Sequence, residues 1–136
     1  VARLGDGWLA SAYNTTPEQV SRGLLTLRDE LARLGREDRP LPCTVATMWT
    51  HLTDSRAERD ATLELLAGML GRPRETLADR VLVGPPEQCA RLAHAYAEAG
   101  VDLLCLWPVV EPDYLTQMGR DLLGAVPGRY SIAGAP

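Results

Sequence analysis

The sequence has 136 residues, a formal net charge of −4 at pH 7 and 46% hydrophobic residues, so it is long enough for one domain with a hydrophobic core. The net charge is negative and no window forms a basic stripe, which argues against nucleic acid or a membrane surface as a partner and favours a small-molecule substrate or a protein partner. The three cysteines form no CxxC pair, and there is neither a signal-peptide pattern nor an apolar run of membrane-spanning length, so we expect a cytoplasmic protein.

The first residues have the pattern of a helix end. Residues 1–5 read VARLG, and the closely similar LARLG at residues 31–35 closes an apolar run with helical spacing. An apolar stretch at residues 7–13 follows, which we interpret as a strand. We therefore expect the chain to begin at the end of a helix whose body would lie upstream.

A helix and a second strand are predicted next. Thr16, Pro17 and Gln19 supply a hydroxyl N-cap, a proline at the first helical position and a capping-box partner, so a helix should run to about residue 34. Residues 36–42 carry two prolines and four charges and are predicted as a loop. Residues 43–52 are rich in β-branched and aromatic side chains, which is typical of a strand.

Helices dominate the next part of the chain. Asp54 can cap a helix that ends near Gly71, and a short helical piece should follow at residues 73–80. A further helix at residues 86–99 should bury one face, formed by Cys89, Leu92, Ala93, Tyr96 and Ala97.

The last predicted strand spans residues 101–107, which are almost continuously apolar, as in a parallel strand covered on both faces. A helix at residues 112–126 and a loose tail at residues 127–136 should complete the chain.

This order of strands and helices predicts an α/β protein with parallel strands. Three parallel strands leave unpaired backbone groups at both edges of the sheet. We therefore expect either a homo-oligomer that covers the edges or a missing remainder of the sheet, such as the N-terminal half of a (β/α)₈ barrel, which needs roughly 250 residues.

Several of these stretches resemble the luciferase-like monooxygenase family of flavin- or deazaflavin-dependent oxidoreductases. The matching segments are ARLGDGWL, TPEQ and LVGPPEQCARLAHAYAEAGVDLLCLWP. The resemblance implies a partial (β/α)₈ TIM barrel in residues 1–126, equivalent to about strands 6 to 8 with their helices. It also implies FMN or coenzyme F-420 as the cofactor, with hydride transfer or oxygen activation as the reaction class.

Two features depart from that family. Pro85 replaces the Thr or Ser that caps the helix in the family pattern, a loss that typically costs about 1 kcal/mol. The loop that helps hold the cofactor phosphate and the first four strands would lie upstream, so binding of the cofactor by this chain alone is doubtful. The resemblance also implies that the turn at residues 84–86 lies on the stability face of the barrel, away from catalysis.

Candidate site residues follow each predicted strand, because ligands of parallel α/β proteins meet the carboxyl ends of the strands. Donors and aromatic walls are the groups that a flavin pocket needs. The candidates are Ser11, Tyr13 and Asn14 for the cofactor, His51 for catalysis, and Trp49, Trp107 and Glu111 for the substrate.

Each candidate has a structural alternative. Tyr13 and Asn14 could simply end the strand, His51 could be structural or exposed, and Trp107 could plug the barrel mouth. Trp8 is expected to take part in the packing of the barrel. No paired carboxylates, metal-spaced His and Cys residues or GxSxG motif occur, so hydrolase and metalloenzyme functions lack support. The alternative to an oxidoreductase portion is a non-catalytic half-barrel that homodimerises or binds a small ligand.

Overall fold

The computed structural model describes residues 1–109, which form a parallel sheet with helices. The elements are β1 (Trp8–Ser11), a 3₁₀ helix (Ala12–Asn14), α1 (Pro17–Arg33), β2 (Cys43–Leu52), α2 (Arg56–Leu70), α3 (Arg74–Ala78), β3 (Leu82–Gly84), α4 (Pro86–Glu98) and β4 (Leu103–Pro108). Glu111, the predicted helix at 112–126 and the tail at 127–136 lie outside the described residues. No helix within residues 1–109 is long and apolar enough to cross a membrane.

The sheet is parallel in every described pairing, as the long helical crossovers predict. β2 is the central strand: β1 pairs with its first half, and β3 pairs with its last three residues. Thr44 and Val45 pair with both β1 and β4, so those two strands lie on opposite edges of β2. β3 is a strand that the sequence analysis missed, because LVG is short and precedes two prolines.

A β-bulge interrupts β2. Val45 pairs with Leu104 and Met48 pairs with Leu106, so two residues of β2 lie opposite one residue of β4. Val45 and Met48 are both fully buried although they are three positions apart, an odd spacing that would send them to opposite faces in an uninterrupted strand. The bulge therefore keeps the apolar residues of both halves of β2 on one face of the sheet.

One face of the sheet, here called the covered face, packs against α1 and α4. Its core contains Val20 and Leu24 of α1, Met48 of β2, and Cys89 and Tyr96 of α4. The Tyr96 hydroxyl donates to the Thr15 carbonyl at 2.7 Å, which ties α4 to the chain just before α1.

Trp8 packs against this same core, as predicted. A Cβ on Gly23 of α1 would lie 2.5 Å from the Trp8 ring, so a larger residue at this position would force the ring to move.

The opposite face, here called the open face, is covered only toward its carboxyl end. There a second cluster forms from Leu63, Leu66, Leu77, Val81 and Val83 of α2, α3 and β3. Toward the amino end of the same face, Leu9 is 69% exposed and Leu103 is 57% exposed. The expectation that the last strand is covered on both faces is therefore wrong for the described residues.

The starts and ends of the helices follow the sequence signals closely. Thr16 and Gln19 form the predicted capping box, and Gly71 ends α2 in the left-handed region at φ 61°. The predicted Asp54 cap is wrong, because the Ser55 hydroxyl accepts from the Glu58 N–H instead. Ala97 is exposed, since it lies beyond the edge of the α4 face that packs on the sheet.

The Asp of the segment AGVD has a structural role. The Asp102 carboxylate accepts from the Cys43 N–H at 2.8 Å, and the Asp102 N–H donates to the Cys43 carbonyl at 2.9 Å. This pair of hydrogen bonds joins the start of β4 to the start of β2 and fixes the register between them.

Candidate functional site

The carboxyl ends of β1, β2 and β4 meet at one edge of the sheet because the strands are parallel. Ser11 ends β1 on the open face, two residues after the exposed Leu9. Trp49 pairs with Trp107 in the β2–β4 register. Three of the sequence-predicted site residues, Ser11, Trp49 and Trp107, are therefore on neighbouring strands near the carboxyl end of the open face.

The two tryptophans form an edge-to-face pair, with ring centroids 5.4 Å apart and an interplanar angle of 78°. Trp107 is 46% exposed, whereas Trp49 contacts the second cluster. The Trp49 indole N–H is buried and has no hydrogen-bond partner among residues 1–109. The pair forms a partly exposed aromatic surface, which is the kind of wall predicted for a substrate site.

A pair of hydroxyl groups lies on the same face. The Ser11 and Thr47 hydroxyl oxygens are 3.0 Å apart, and the Thr47 hydroxyl donates to the Ala46 carbonyl at 2.6 Å. Thr47 is one of the two bulge residues and has φ 56°, a left-handed conformation that a β-branched residue rarely adopts. Strained residues of this kind cluster at functional sites.

Tyr13 and Asn14 lie on the 3₁₀ helix that follows β1, because the predicted strand ends at Ser11. The Arg72 guanidinium lies 5.9 Å from the Tyr13 ring centroid and also donates to the Asn14 side-chain oxygen. Arg80 donates to the Tyr13 carbonyl at 3.3 Å. These contacts join the 3₁₀ helix to the α2–α3 region, and the assignment of both residues to a cofactor site stays a prediction.

His51 is half-buried at the carboxyl end of β2. Its Nδ1 atom is 2.7 Å from the hydroxyl oxygen of Thr62, which is buried on α2. This hydrogen bond fixes the ring plane, and the tautomer decides which of the two atoms donates. Its predicted catalytic role is compatible with the position at the carboxyl edge and stays a prediction.

The start of α4 corrects one expectation from the sequence. Gly84 pairs with Leu52 at the carboxyl end of β2, so the turn at residues 84–86 lies at the carboxyl edge and not on the opposite side of the sheet. Gly84 adopts φ 139°, and a Cβ there would lie 3.2 Å from the Arg59 side chain. The physical reason is that a helix after a parallel strand begins where that strand ends.

The cysteines behave as small buried hydrophobic residues in two of three cases. Burial raises the pKa of the Cys89 thiol to about 12 and also raises the pKa of the Cys43 thiol. Both thiols therefore stay protonated near neutral pH, which makes them poor nucleophiles. Cys105 lies half-buried on β4.

Sequence reasoning missed Thr47 and the arginines that hold the 3₁₀ helix. A signal for Thr47 was present, because the apolar alternation of CTVATMWTHL shifts phase between Val45 and Met48. Such a shift predicts one extra residue in a strand. Arg72 and Arg80 gave no local signal, since their contacts are made with residues 58 and 67 positions away.

Comparison with known proteins supports the fold. No protein-family model and no curated protein sequence matches the chain. Among solved structures, it is similar to an F420-dependent secondary alcohol dehydrogenase in complex with an F420-acetone adduct, with a TM-score of 0.73 and 11% identity over 93% of this chain. The chain spans 44% of the length of that protein. At this identity the likeness shows the fold, an α/β arrangement with a parallel sheet and helices.

Proposed function

We propose that this chain forms part of the pocket of a flavin- or deazaflavin-dependent oxidoreductase of the luciferase-like type. The observation that carries the proposal is the grouping of Ser11, Trp49 and Trp107 on neighbouring parallel strands at the carboxyl end of the open face. The fold comparison adds a structural neighbour that is an F420-dependent secondary alcohol dehydrogenase. The reaction class is hydride transfer to or from a small-molecule substrate.

The residues of the open face fit a planar ring better than they fit a phosphate. The aromatic pair supplies a flat apolar wall, and the Ser11 and Thr47 hydroxyls supply polar contacts beside it. A flavin or deazaflavin, when bound, supplies the hydride chemistry. Trp49 and Trp107 would hold the ring or the substrate and exclude water, while Ser11 would orient it.

The exposed Leu9 and Leu103 support the view that the face is completed by further structure. Both side chains lie on the open face outside the second cluster, where they flank Thr44 of β2 on the two neighbouring strands. In a closed barrel this face would be the interior, filled by side chains from other strands. A partial pocket in this chain agrees with that arrangement.

Titration of the purified chain with FMN and with coenzyme F-420, followed by ligand fluorescence, tests the proposal. We expect weak binding of one of the two, with a Kd of about 1 mM. The variant Trp107→Leu should weaken it about five-fold, because an aromatic contact is lost. Leu25→Ala, at an exposed position of α1 on the other side of the sheet, should leave it unchanged.

Two results would overturn the proposal. One is the absence of binding of either cofactor at millimolar concentration. The other is equal weakening by Trp107→Leu and Leu25→Ala, since that pattern would show a contact unrelated to the open face.

The exposed apolar residues also support a second candidate, a half-barrel module that buries the open face in a homodimer. Light scattering measures the mass directly. A dimer that becomes monomeric with Leu103→Arg, but not with the control Leu25→Arg, would favour this candidate, since only the first substitution places a charge on the open face. A monomer in all three proteins would reject it.

A further inference from the structure

The Ser11 and Thr47 hydroxyls have fixed hydrogen-bond polarity. A hydroxyl group has one proton to donate and two lone pairs that accept. The Thr47 proton is used on the Ala46 carbonyl, so the 3.0 Å contact between the two hydroxyl oxygens requires Ser11 to donate to Thr47. Both protons are then engaged within the protein.

The two hydroxyl groups can therefore accept further hydrogen bonds but cannot donate any. Among residues 1–109, the Ser11 oxygen accepts no hydrogen bond and the Thr47 oxygen accepts only one. Three lone pairs remain, and no proton remains to donate. The pair can bind a group that donates a hydrogen bond, whereas a group that only accepts finds no partner there.

The bulge brings the Thr47 hydroxyl to this position. The extra residue in β2 places Thr47 where its hydroxyl reaches Ser11 of the neighbouring strand, and Thr47 takes the strained φ of 56° in doing so. The partly exposed Trp107 and the half-buried Cys105 lie on β4, across β2 from Ser11. The hydroxyl pair is thus a polar spot on a largely apolar face.

We infer that Ser11 and Thr47 form a specificity site that selects ligands carrying a hydroxyl or a ring N–H and disfavours ligands with acceptors alone. This inference deepens the proposed function and rests on the same open face. Thr47 acts as a specificity residue because its oxygen accepts the Ser11 proton. The pair is then left with acceptors only.

The test uses the full chain, labelled with ¹⁵N, and matched probes in which methyl groups replace every hydrogen-bonding proton of the donor. Phenol donates a hydrogen bond and anisole does not, which reports on hydroxyl ligands. Thymine donates through its ring N–H groups and 1,3-dimethylthymine does not, which reports on heterocyclic ligands. Backbone amide signals of Ser11 and Thr47 give the affinities. We expect the donor to bind about five-fold more tightly than its capped partner in at least one pair.

Two variants separate polarity from a structural effect. Thr47→Val keeps the β-branched shape and frees the Ser11 proton, so anisole or dimethylthymine should gain affinity and the preference should disappear or reverse. Ser11→Ala removes the Ser11 lone pairs but leaves Thr47 bonded to Ala46, so the preference should shrink about two-fold without reversing. A merely structural role would change all four affinities alike. The control Leu25→Ala should change none.

Equal affinities for both members of both pairs, no binding of any probe, or a preference that survives Thr47→Val would each overturn the inference. The cofactor titration is independent of these results. If FMN and coenzyme F-420 fail to bind while the donor preference persists, the proposed function falls and the specificity site stands. If a cofactor binds without any donor preference, the specificity site falls alone.

Discussion

The two faces of the sheet differ in what covers them. The covered face has a continuous core between α1, α4 and the strands, with Met48 and Tyr96 fully buried. The open face carries the hydroxyl pair and the aromatic pair and leaves Leu9 and Leu103 exposed. The chain therefore buries the larger of its two apolar clusters on one face and presents its candidate chemistry on the other.

The largest expected contrast between the faces comes from truncating one apolar side chain on each. Met48→Ala should lower the free energy of unfolding by about 2–5 kcal/mol, because it leaves a cavity in the core. Leu103→Ala should change it by less than about 0.5 kcal/mol, because that side chain is exposed. Urea unfolding of both variants measures the contrast, and equal losses would show that Leu103 also packs in a core.

A second contrast compares two helical glycines. Gly23→Ala should destabilise the protein by about 1–3 kcal/mol, because the new methyl group would lie 2.5 Å from Trp8 and the ring would have to move. Gly68→Ala on α2 meets nothing within 4 Å and should stabilise by about 0.5–1 kcal/mol through helix propensity. Thermal unfolding distinguishes them. A Gly23→Ala variant as stable as Gly68→Ala would contradict the close packing of α1 on β1.

The covered face should also respond to alkaline pH. Burial raises the pKa of Tyr96 to about 12 from its ordinary value of 10. The unfolded chain therefore loses the phenol proton first, so this group's contribution to stability is complete below pH 10 and is lost as pH rises toward 12.

Tyr96→Phe tests that dependence. It should lower stability by about 1 kcal/mol at neutral pH, since it removes the hydrogen bond to the Thr15 carbonyl. Above pH 10 the variant should also lose less stability than the parent protein, because ionisation of Tyr96 no longer contributes to the loss. Denaturant titrations at several pH values measure both effects. A variant with the alkaline slope of the parent protein would contradict the assignment to Tyr96.

The smallest expected effect concerns the strained residue of the open face. Thr47→Gly and Thr47→Ala both remove the hydroxyl. The two variants therefore differ mainly in the free energy that it costs to hold residue 47 at φ 56° with or without a Cβ. The glycine variant should be more stable by about 1 kcal/mol, because only the alanine Cβ is strained in the left-handed region. Glycine is normally the weaker residue within a strand, so an alanine variant of equal or greater stability would contradict the strain at the bulge.

Much of the fold was predictable from local sequence. The bounds of β2, the capping box at Thr16 and the close of α2 at Gly71 each depend on a few adjacent residues, and all were confirmed. β3 was missed because three residues give too short a pattern for a strand prediction. The parallel pairing followed from the helical crossovers between successive strands.

The site was predictable only in part. Ser11, Trp49 and Trp107 could be placed together because parallel strands bring their carboxyl ends to one edge. The engagement of Asn14 by Arg72 could not be predicted, because it depends on where α2 ends in space. Which hydroxyl of the Ser11–Thr47 pair donates could not be predicted either, because it depends on the geometry of the bulge. The sequence indicates the bulge only as a phase shift in the apolar pattern of β2.

The central claim is that ligands bind the open face beside the second cluster, where Trp107 and the Ser11–Thr47 hydroxyl pair lie. The indole N–H signals of the three tryptophans in a ¹H–¹⁵N spectrum test it most directly, because Trp8 packs with the core of the covered face while Trp49 and Trp107 form the aromatic pair. During titration with coenzyme F-420, the signals of Trp49 and Trp107 should shift along one saturating curve and Trp8 should stay in place. Equal shifts of all three signals, or no shift of Trp49 and Trp107, would contradict the account.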